Sequence, residues 1–436
     1  MHEVGALSGT ALLISHIVKI VVVFTVSLIA VAMFTLAERR ISAWIQDRLG
    51  PNRVGPGGLL QPIADGLKNL AKEETYPRRA SSIFFILAPM ISIGTAVVTF
   101  AVVPFASPLP TPWGLVEGII ADLPIGILYI LGISSLGVYG VVMAGWSSNN
   151  KYAFLGGLRA SAQMVSYEVA LGMSLVPVFM LAGNVTLTRI VWVQQQELGL
   201  WLILPLGLSF LIFVASAFAE TNRLPFDVAE AESELITGYH TEYSSMKFSM
   251  FFIAEYSNVL TASALMATLF LGGWDIPFWT GDDMRVIAPG VVEGAAPAWW
   301  KSLLTLAAFS TKTLFFVFMF MWVRWTLPRF RYDQIMHLGW KVLIPTALLY
   351  IMALGTAILL LDAAGIPYGF VYGLILTGVN LLALVLFVGV IDRDRVISGA
   401  SVERARAPTG LPRGITATRV PREPAGVGGR EDSPWQ

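Results

Sequence analysis

Long apolar runs alternate with shorter polar segments along this chain, and each run is about as long as a membrane-crossing helix. A hydrocarbon core roughly 30 Å thick requires about 20 residues of helix. The pattern therefore predicts an all-α, polytopic integral membrane bundle of about nine transmembrane helices. The predicted spans cover approximately residues 11–36, 82–104, 120–145, 162–182, 200–219, 246–271, 301–323, 340–361 and 367–391. The first run is too long for a signal peptide, and AERR follows it in place of a small-residue cleavage site.

The polar segment 37–74 contains two amphipathic pieces joined by the turn GPNRVGPGG. Apolar residues recur on one face of each piece, so we expect two interfacial helices that lie at the membrane surface in this first polar loop. No strand precedes the glycines, so they are typical of a turn and not of a phosphate-binding loop. The apolar positions are Ile41, Trp44, Ile45 and Leu49 in the first piece, and Ile63, Leu67 and Leu70 in the second.

Lysine and arginine are distributed unevenly between alternate connections, and this asymmetry predicts the orientation. Cytoplasmic loops of membrane proteins carry an excess of these residues. We therefore expect the N-terminus outside and the C-terminus in the cytoplasm. The inner connections hold eight in 37–81, two in 146–161, two in 220–247 and four in 324–341, against only Arg189, Arg285 and Lys301 on the outer side.

Composition supports a membrane protein and excludes several other classes. The mean hydropathy is +0.68, which is too apolar for a soluble chain of 436 residues. The formal net charge is zero, so nucleic acid is not an expected partner. The chain has no cysteine, and its four histidines never share a metal-binding spacing. We therefore expect this chain to bind no metal, haem or iron–sulfur cluster.

One inner connection concentrates negative charge in the stretch NRLPFDVAEAESELITGY, residues 222–239. Asp227, Glu230, Glu232 and Glu234 fall within eight residues, with Arg223 as the only nearby cation. A solvated acidic loop would explain the charge, but it would not explain the preceding TNRLPF. This stretch is therefore open to two interpretations, a solvated loop or a working carboxylate cluster.

Four ionisable residues interrupt the predicted spans: Lys19, Glu168, Glu255 and Lys312. Each would cost at least about 2.5 kcal/mol if it faced lipid at the centre of the bilayer. The two lysines could snorkel or form interhelical hydrogen bonds. The shorter glutamates are expected to face a wet interior. Together with the acidic stretch, they are typical of a proton inlet and relay, or of an ion-coupled carrier.

Four long motifs in this chain resemble the H-subunit (mitochondrial subunit 1) family of respiratory complex I, the proton-pumping NADH:quinone oxidoreductase. The resemblance runs from about residue 15 to 360, in the family's order. The motifs are AERR…GPNRVGPGGLLQPIADGLKNLAKEE, GWSSNNKYAFLGGLRASAQMVSYEV, AETNRLPFDVAEAESELITGYHTEYSSMKFSMFFIAEYSN and PRFRYDQIMHLGWK.

The resemblance implies a bacterial inner-membrane protein that docks the peripheral arm and completes the quinone chamber, with membrane lipid around it. Quinone (menaquinone or ubiquinone) would be the substrate. FMN and iron–sulfur clusters would lie in partner subunits, so no independent catalysis is expected from this chain alone. Small membrane subunits would connect it to antiporter-like ones. Quinone contacts carried over from the family are Arg39, Asp65, Phe226, Arg329 and Arg331. The implied proton relay comprises Glu168, Glu220, Asp227, Glu230, Glu232, Glu234 and Glu255.

Two alternatives remain open from the sequence. The first is the equivalent subunit of a membrane-bound hydrogenase or a deazaflavin-linked dehydrogenase. Nickel and cysteine-rich small subunits that co-purify with the chain would distinguish this alternative. A stand-alone transporter predicts inverted repeats, and the halves show no self-similarity. Residues 1–391 are expected to form one membrane domain. Residues 392–436, basic and rich in Pro and Gly, are expected to be a disordered cytoplasmic tail.

Overall fold

The computed structural model describes residues 2, 3, 5, 7, 9–227 and 238–391, so the tail 392–436 lies outside the described residues. Helices dominate, as the apolar pattern predicts. They are α1 (Gly9–Ile45), α2 (Gln61–Ala71), α3 (Ser82–Val98), α4 (Gly126–Ser147), α5 (Lys151–Ala182), α6 (Leu187–Trp192), α7 (Gly207–Glu220), α8 (Ser245–Phe270), α9 (Trp299–Thr326), α10 (Tyr332–His337), α11 (Ile344–Ala363) and α12 (Phe370–Ile391).

In the described part of the chain, eight helices are long and apolar enough to cross a membrane. The polytopic helical class predicted from the sequence is therefore confirmed. A π-helical turn, Leu338–Leu343, joins α10 to α11, and together they form the span Tyr332–Ala363. The remaining predicted span, 200–219, takes a different form.

Helix α7 replaces the predicted span 200–219 and is only 14 residues long. At about 1.5 Å per residue, it falls short of a hydrocarbon core roughly 30 Å thick. Residues 202–206 form turns instead, and Pro205 has no amide N–H to continue a helix. The side chain of Asn380 in α12 hydrogen-bonds backbone groups that a continuous helix would have paired. Leu208 N–H donates to Asn380 Oδ1 at 3.0 Å, and Asn380 Nδ2 donates to Leu204 O at 2.8 Å.

The first amphipathic piece of 37–74 differs from the prediction, because it continues α1 without a break as far as Ile45. The sequence placed the end of this span near residue 36, where the first charged residues appear. A helix satisfies its own backbone hydrogen bonds, so it can continue past the membrane interface. The charged side chains on one of its faces then extend into water. The second piece forms α2 as predicted, with Ile63, Leu67 and Leu70 all exposed.

The helical core is built around α5, α7 and α8, each of which contributes more buried side chains to it than any other helix does. Helices α3, α4 and α5 pack successively against one another, and α8 packs against α9. Close approach explains one small residue on α4. A Cβ at Gly145 would lie 2.7 Å from the carbonyl oxygen of Ala153, a distance that no side chain tolerates.

The connections divide between two faces of the bundle. One face carries two small antiparallel sheets, formed by β2 (Ala106–Thr111) with β3 (Gly114–Gly118), and by β1 (His2–Glu3), β5 (Val291–Gly294) and β4 (Met284–Ala288) in that order. The other face carries α2, the segment after α7 and α10. Contacts between connections, such as Asn150 with Glu242 at 2.7 Å, join this second face.

Both intramembrane lysines form hydrogen bonds with backbone carbonyls of other elements. Lys19 Nζ donates to Ile119 O at 2.7 Å. Lys312 Nζ donates to the carbonyls of Leu271, Gly273 and Asp275 at 2.6, 3.1 and 2.5 Å. These bonds satisfy the ammonium groups near the face that carries the sheets. The accepting carbonyls lie in connections, so the bonds are not the interhelical ones considered for these lysines.

The two faces allow a direct test of the predicted orientation. The natural chain has no cysteine, so a single introduced cysteine can be labelled selectively within it. We expect an impermeant thiol reagent to label Phe278→Cys in intact cells, because this residue is fully exposed on the sheet-bearing face. Lys72→Cys, exposed beside α2, should react only after permeabilisation. Labelling of Lys72→Cys in intact cells would show that the orientation is the reverse of the predicted one.

Candidate functional site

A buried cluster of charged side chains is centred on Glu38 near the end of α1. Glu38 is only 5% exposed. Arg223 Nη1 lies 3.2 and 3.1 Å from its two carboxylate oxygens, and the Tyr256 hydroxyl donates to it at 2.7 Å. Arg324 of α9 also donates to Glu38. Two cations and a phenol therefore hold this one carboxylate inside the protein.

Arg223 connects Glu38 to a second carboxylate, Glu255 of α8. Its Nε lies 2.6 Å from Glu255 Oε1, and its guanidinium carbon lies 4.2 Å from the centre of the Tyr256 ring. The cluster thus contains two carboxylates and two guanidinium groups, counting Arg324. Such a balance is required because an unpaired charge inside a protein is strongly destabilising. A small cavity of about 10 Å³ lies beside the cluster, lined in part by Glu38, Arg223 and Tyr256.

Gln163 of α5 holds in place the segment that carries Arg223. Its Nε2 donates to Ala219 O at 2.9 Å and to Phe226 O at 2.8 Å. On the other side, the amide of Phe330 donates to Pro225 O at 3.1 Å. The segment after α7 is therefore fixed to α5 and to the connection before α10, and Arg223 is directed into the bundle.

Phe226, a predicted quinone contact, belongs to this segment, and its ring packs in a group of aromatic side chains. Its ring centre is 5.3 Å from that of Tyr167 and 5.6 Å from that of Phe330. Phe226 is 4% exposed. A quinone ring would therefore reach Phe226 only if these aromatic contacts opened.

Asp227 is the one acid of the stretch 222–239 that lies within the described residues. Arg329 Nη2 donates to Asp227 Oδ2 at 2.9 Å, so two residues predicted for different roles form an ion pair. Asp227 also interacts electrostatically with Glu255. Arg331 lies at the start of α10 and is exposed. The predicted relay residues Glu230, Glu232 and Glu234 lie outside the described residues.

His240 follows the acidic stretch, where a protonated histidine would add a positive charge. It is 4% exposed, and burial lowers its pKa to about 4. The imidazole is therefore neutral at pH 7. His240 packs against the rings of Tyr239 and Phe248, which is the surrounding of a core residue.

Glu168 of α5 and Glu220 of α7 form a second carboxylate group. Ser135 donates to Glu168, and the carboxylates of Glu168 and Glu220 interact electrostatically. Both side chains are half-buried. The structure therefore brings this predicted pair together, apart from the cluster around Glu38.

Arg39 and Asp65, the predicted quinone-entrance residues, form an ion pair at the surface. Arg39 Nη1 lies 2.5 Å from Asp65 Oδ2, with 52% and 30% of the side chains exposed. Gln61 Nε2 donates to the other oxygen of Asp65 at 3.0 Å. The pair joins the end of α1 to α2, and successive residues on α1 direct Glu38 inward and Arg39 outward.

Four members of the cluster were missed as site residues by sequence reasoning: Glu38, Arg223, Tyr256 and Arg324. A signal for Glu38 was present, because Val31, Phe34 and Glu38 follow helical spacing and all three are buried. Ending the predicted span at residue 36 concealed this signal. Arg324 had none, since an arginine at the end of a span ordinarily indicates only the membrane interface.

Comparisons with known proteins give consistent matches over most of the chain. A family model described as NADH dehydrogenase matches residues 18–355. The chain is 48% identical over 352 residues to the NADH-quinone oxidoreductase H subunit of Leptospira biflexa, covering 78% of this chain and 94% of that one. It is 46% identical to an H subunit of the same enzyme from Cytophaga hutchinsonii, over 80% of this chain and 98% of the relative.

A third relative, an NADH-quinone oxidoreductase H subunit of Geobacter metallireducens, is 48% identical over 79% of this chain and 97% of its own length. None of these three is named as a hydrogenase, a deazaflavin-linked dehydrogenase or a transporter. Helix α12 lies beyond the residues that the family model matches. The extent of the match and the level of identity show that the chain belongs to the NADH dehydrogenase family, within the group of NADH-quinone oxidoreductase H subunits.

Proposed function

We propose that this chain forms part of the quinone chamber of a proton-translocating NADH:quinone oxidoreductase and couples quinone reduction to proton movement through its carboxylates. The buried Glu38–Arg223–Glu255 cluster carries this proposal. It lies directly behind the Arg39–Asp65 pair, where an amphipathic quinone headgroup would leave the bilayer. In this proposal, the charge cluster is therefore adjacent to the route by which quinone enters.

The two carboxylates of the cluster differ in how firmly they are held. Glu38 accepts hydrogen bonds from Arg223, Arg324 and Tyr256, whereas the one ion pair described for Glu255 is with Arg223. A proton placed on Glu255 breaks fewer favourable contacts than a proton placed on Glu38. We therefore assign proton exchange to Glu255 and charge anchoring to Glu38.

Quinone reduction consumes protons, so it changes the charge around the chamber. Asp227 is the described acid that connects the acidic stretch with the cluster, through its electrostatic interaction with Glu255. In the proposed order of events, protons supplied along residues 227–234 replace the protons that the quinone consumes. The change of charge at Glu255 then changes the protonation of the Glu220–Glu168 pair. This pair is the proposed next step toward neighbouring subunits.

The partners of the chain are proposed from the same reasoning. Peripheral-arm subunits that hold FMN and iron–sulfur clusters would cover the face that carries α2 and the acidic stretch. Small membrane subunits would pack beside Glu168 and Glu220. The proposed location is the bacterial inner membrane, with the N-terminus outside and the C-terminus in the cytoplasm.

Substitutions in the Arg39–Asp65 pair test quinone access. An exposed ion pair contributes only about 0–1 kcal/mol to stability, so Arg39→Ala and Asp65→Asn should assemble normally. We expect both variants to lose quinone reductase activity by about tenfold or more, the scale of one hydrogen bond to a charged group. Electron transfer from NADH to a water-soluble artificial acceptor should persist.

Arg53→Ala is the matched control, because Arg53 is exposed in the same connection and outside the pair. It should reduce quinone at the normal rate. Normal quinone reduction by assembled Arg39→Ala and Asp65→Asn would remove both residues from the access route. Loss of activity in Arg53→Ala as well would indicate a general effect of surface charge.

A further inference from the structure

Three buried aspartates meet on the face opposite the Glu38 cluster, in the connection between α8 and α9. Asp275, Asp282 and Asp283 are 8%, 0% and 5% exposed. Each offers one carboxylate oxygen, and these three oxygens lie within 4.8 Å of one another. Like charges at such separations repel strongly away from water. The cluster therefore requires a compensating partner.

Neutral donors supply only part of that compensation. The indole N–H of Trp201 donates to Asp275 at 2.6 Å, and the amide of Gln196 donates to Asp283, also at 2.6 Å. The backbone N–H of Ile276 donates to Asp282 Oδ2 at 2.8 Å. These bonds orient the carboxylates but leave their charge unbalanced.

No lysine, arginine or histidine within the described residues lies at ion-pair distance from any of the three aspartates. Lys312 is nearby, but its ammonium group donates to the carbonyls of Leu271, Gly273 and Asp275. Within the described residues, the three carboxylates therefore have no ion pair, although Lys312 interacts electrostatically with Asp275 and Asp282.

Two buried oxygens at the cluster have no hydrogen-bond partner among the described residues. One is Asp282 Oδ1, and the other is Oε1 of Gln195, whose amide nitrogen lies 3.5 Å from Asp275 Oδ1. An unpartnered buried oxygen costs roughly 1–3 kcal/mol. Both oxygens are of the kind that bind hard cations.

We propose that Asp275, Asp282 and Asp283 bind a calcium ion. Calcium binds oxygen ligands at about 2.3–2.6 Å, so two oxygens on opposite sides of the ion are about 4.6–5.2 Å apart. Three oxygens within 4.8 Å of one another can therefore share one ion. Magnesium suits the site less well, because it keeps several waters in a strict octahedron.

The ion would connect separate elements of this face. Asp282 and Asp283 directly precede β4, Asp275 follows α8, and Gln195 and Gln196 lie in the π-helical turn Val193–Glu197. Bound calcium would hold the β4–β5 hairpin against the helix ends. This role concerns the stability of the sheet-bearing face, and it does not depend on the proposed quinone chemistry.

Terbium luminescence tests the site in the purified complex that contains this chain. Terbium replaces calcium at oxygen sites, and an indole close to the ion sensitises its emission. Trp201 provides that indole, because it hydrogen-bonds Asp275 directly. After removal of metal with a chelator, terbium should give saturable emission that calcium displaces. We expect Asp282→Asn to weaken this binding by more than about tenfold, since even outer partners of a metal change affinity by 10–100-fold.

Two further variants locate the site and guard against misfolding. Glu293→Gln removes an acid from β5, outside the aspartate cluster, and should bind as the natural chain does. Trp201→Phe should give weaker sensitised emission, with Trp274 and Trp279 remaining in the same connection as the aspartates. It should still bind one calcium per chain in equilibrium dialysis. Equal emission from Trp201→Phe and the natural chain would overturn the location, whether or not Asp282→Asn folds. No saturable calcium binding to the natural chain, or displacement by magnesium but not by calcium, would contradict the proposal.

Discussion

Glu255→Gln is expected to lower quinone reductase activity by about 100-fold or more, the lower end of what a positioned proton-transfer group contributes. The amide has almost the shape of the carboxyl group but cannot take up or release a proton. Arg223 would keep its contacts with Glu38, so we expect the complex to assemble. Turnover should fall because proton exchange beside the quinone chamber is lost.

Glu197→Gln is a matched control for this substitution. Glu197 also pairs with an arginine, Arg189, at 2.5 Å, but on the sheet-bearing face. The same chemical change there should leave quinone reduction within about twofold of normal, because a partly exposed pair contributes little. Equal activity losses in Glu255→Gln and Glu197→Gln would show that any broken ion pair suffices. Normal turnover in Glu255→Gln would remove this residue from the relay.

Arg223→Gln is expected to have the largest effect on assembly. Removing Arg223 leaves Glu255 without its described ion pair and leaves Arg324 to balance two carboxylates. Breaking a buried ion pair by removing one partner costs about 3–5 kcal/mol. We therefore expect little assembled complex in membranes, measured on native gels, and a lower thermal transition for what remains.

A double variant separates charge balance from side-chain packing. Arg223→Gln combined with Glu255→Gln leaves one carboxylate, Glu38, paired with one guanidinium, Arg324. This variant should assemble better than Arg223→Gln alone, although it should reduce quinone poorly. If the single variant assembled normally, the cluster would not be an essential ionic centre. If the double variant assembled no better, packing by the arginine stem would explain the defect.

The sequence predicts the helices of this protein well because their signal is local. A run of apolar residues long enough to cross a membrane specifies a helix whatever its neighbours are. Helix α7 escapes this reasoning, since the segment 202–206 is as apolar as a span but folds into turns. Asn380 stabilises those turns from 172 and 176 positions further along the chain, and local pattern cannot reveal such a contact.

The candidate site was predicted only in part for a similar reason. Glu255, Asp227 and Arg329 stand out as charges beside or within apolar helices. Their pairing does not, because Arg223 meets Glu38 across 185 positions of the chain. The three aspartates of the proposed calcium site gave no signal, since outer-loop acids are usually solvated. Only tertiary packing shows that these three are buried.

Proton uptake by vesicles reconstituted with the complex tests the central claim most directly. Two variants should be compared with the natural chain after assembly is confirmed: Glu255→Gln, and a chain with glutamine at Glu230, Glu232 and Glu234 together. Neighbouring carboxylates can share protons as a coupled set, so single substitutions in the acidic stretch should do less than the triple one. The account predicts that quinone reduction and proton uptake fall together in both variants. Normal turnover with normal proton uptake in both would contradict it.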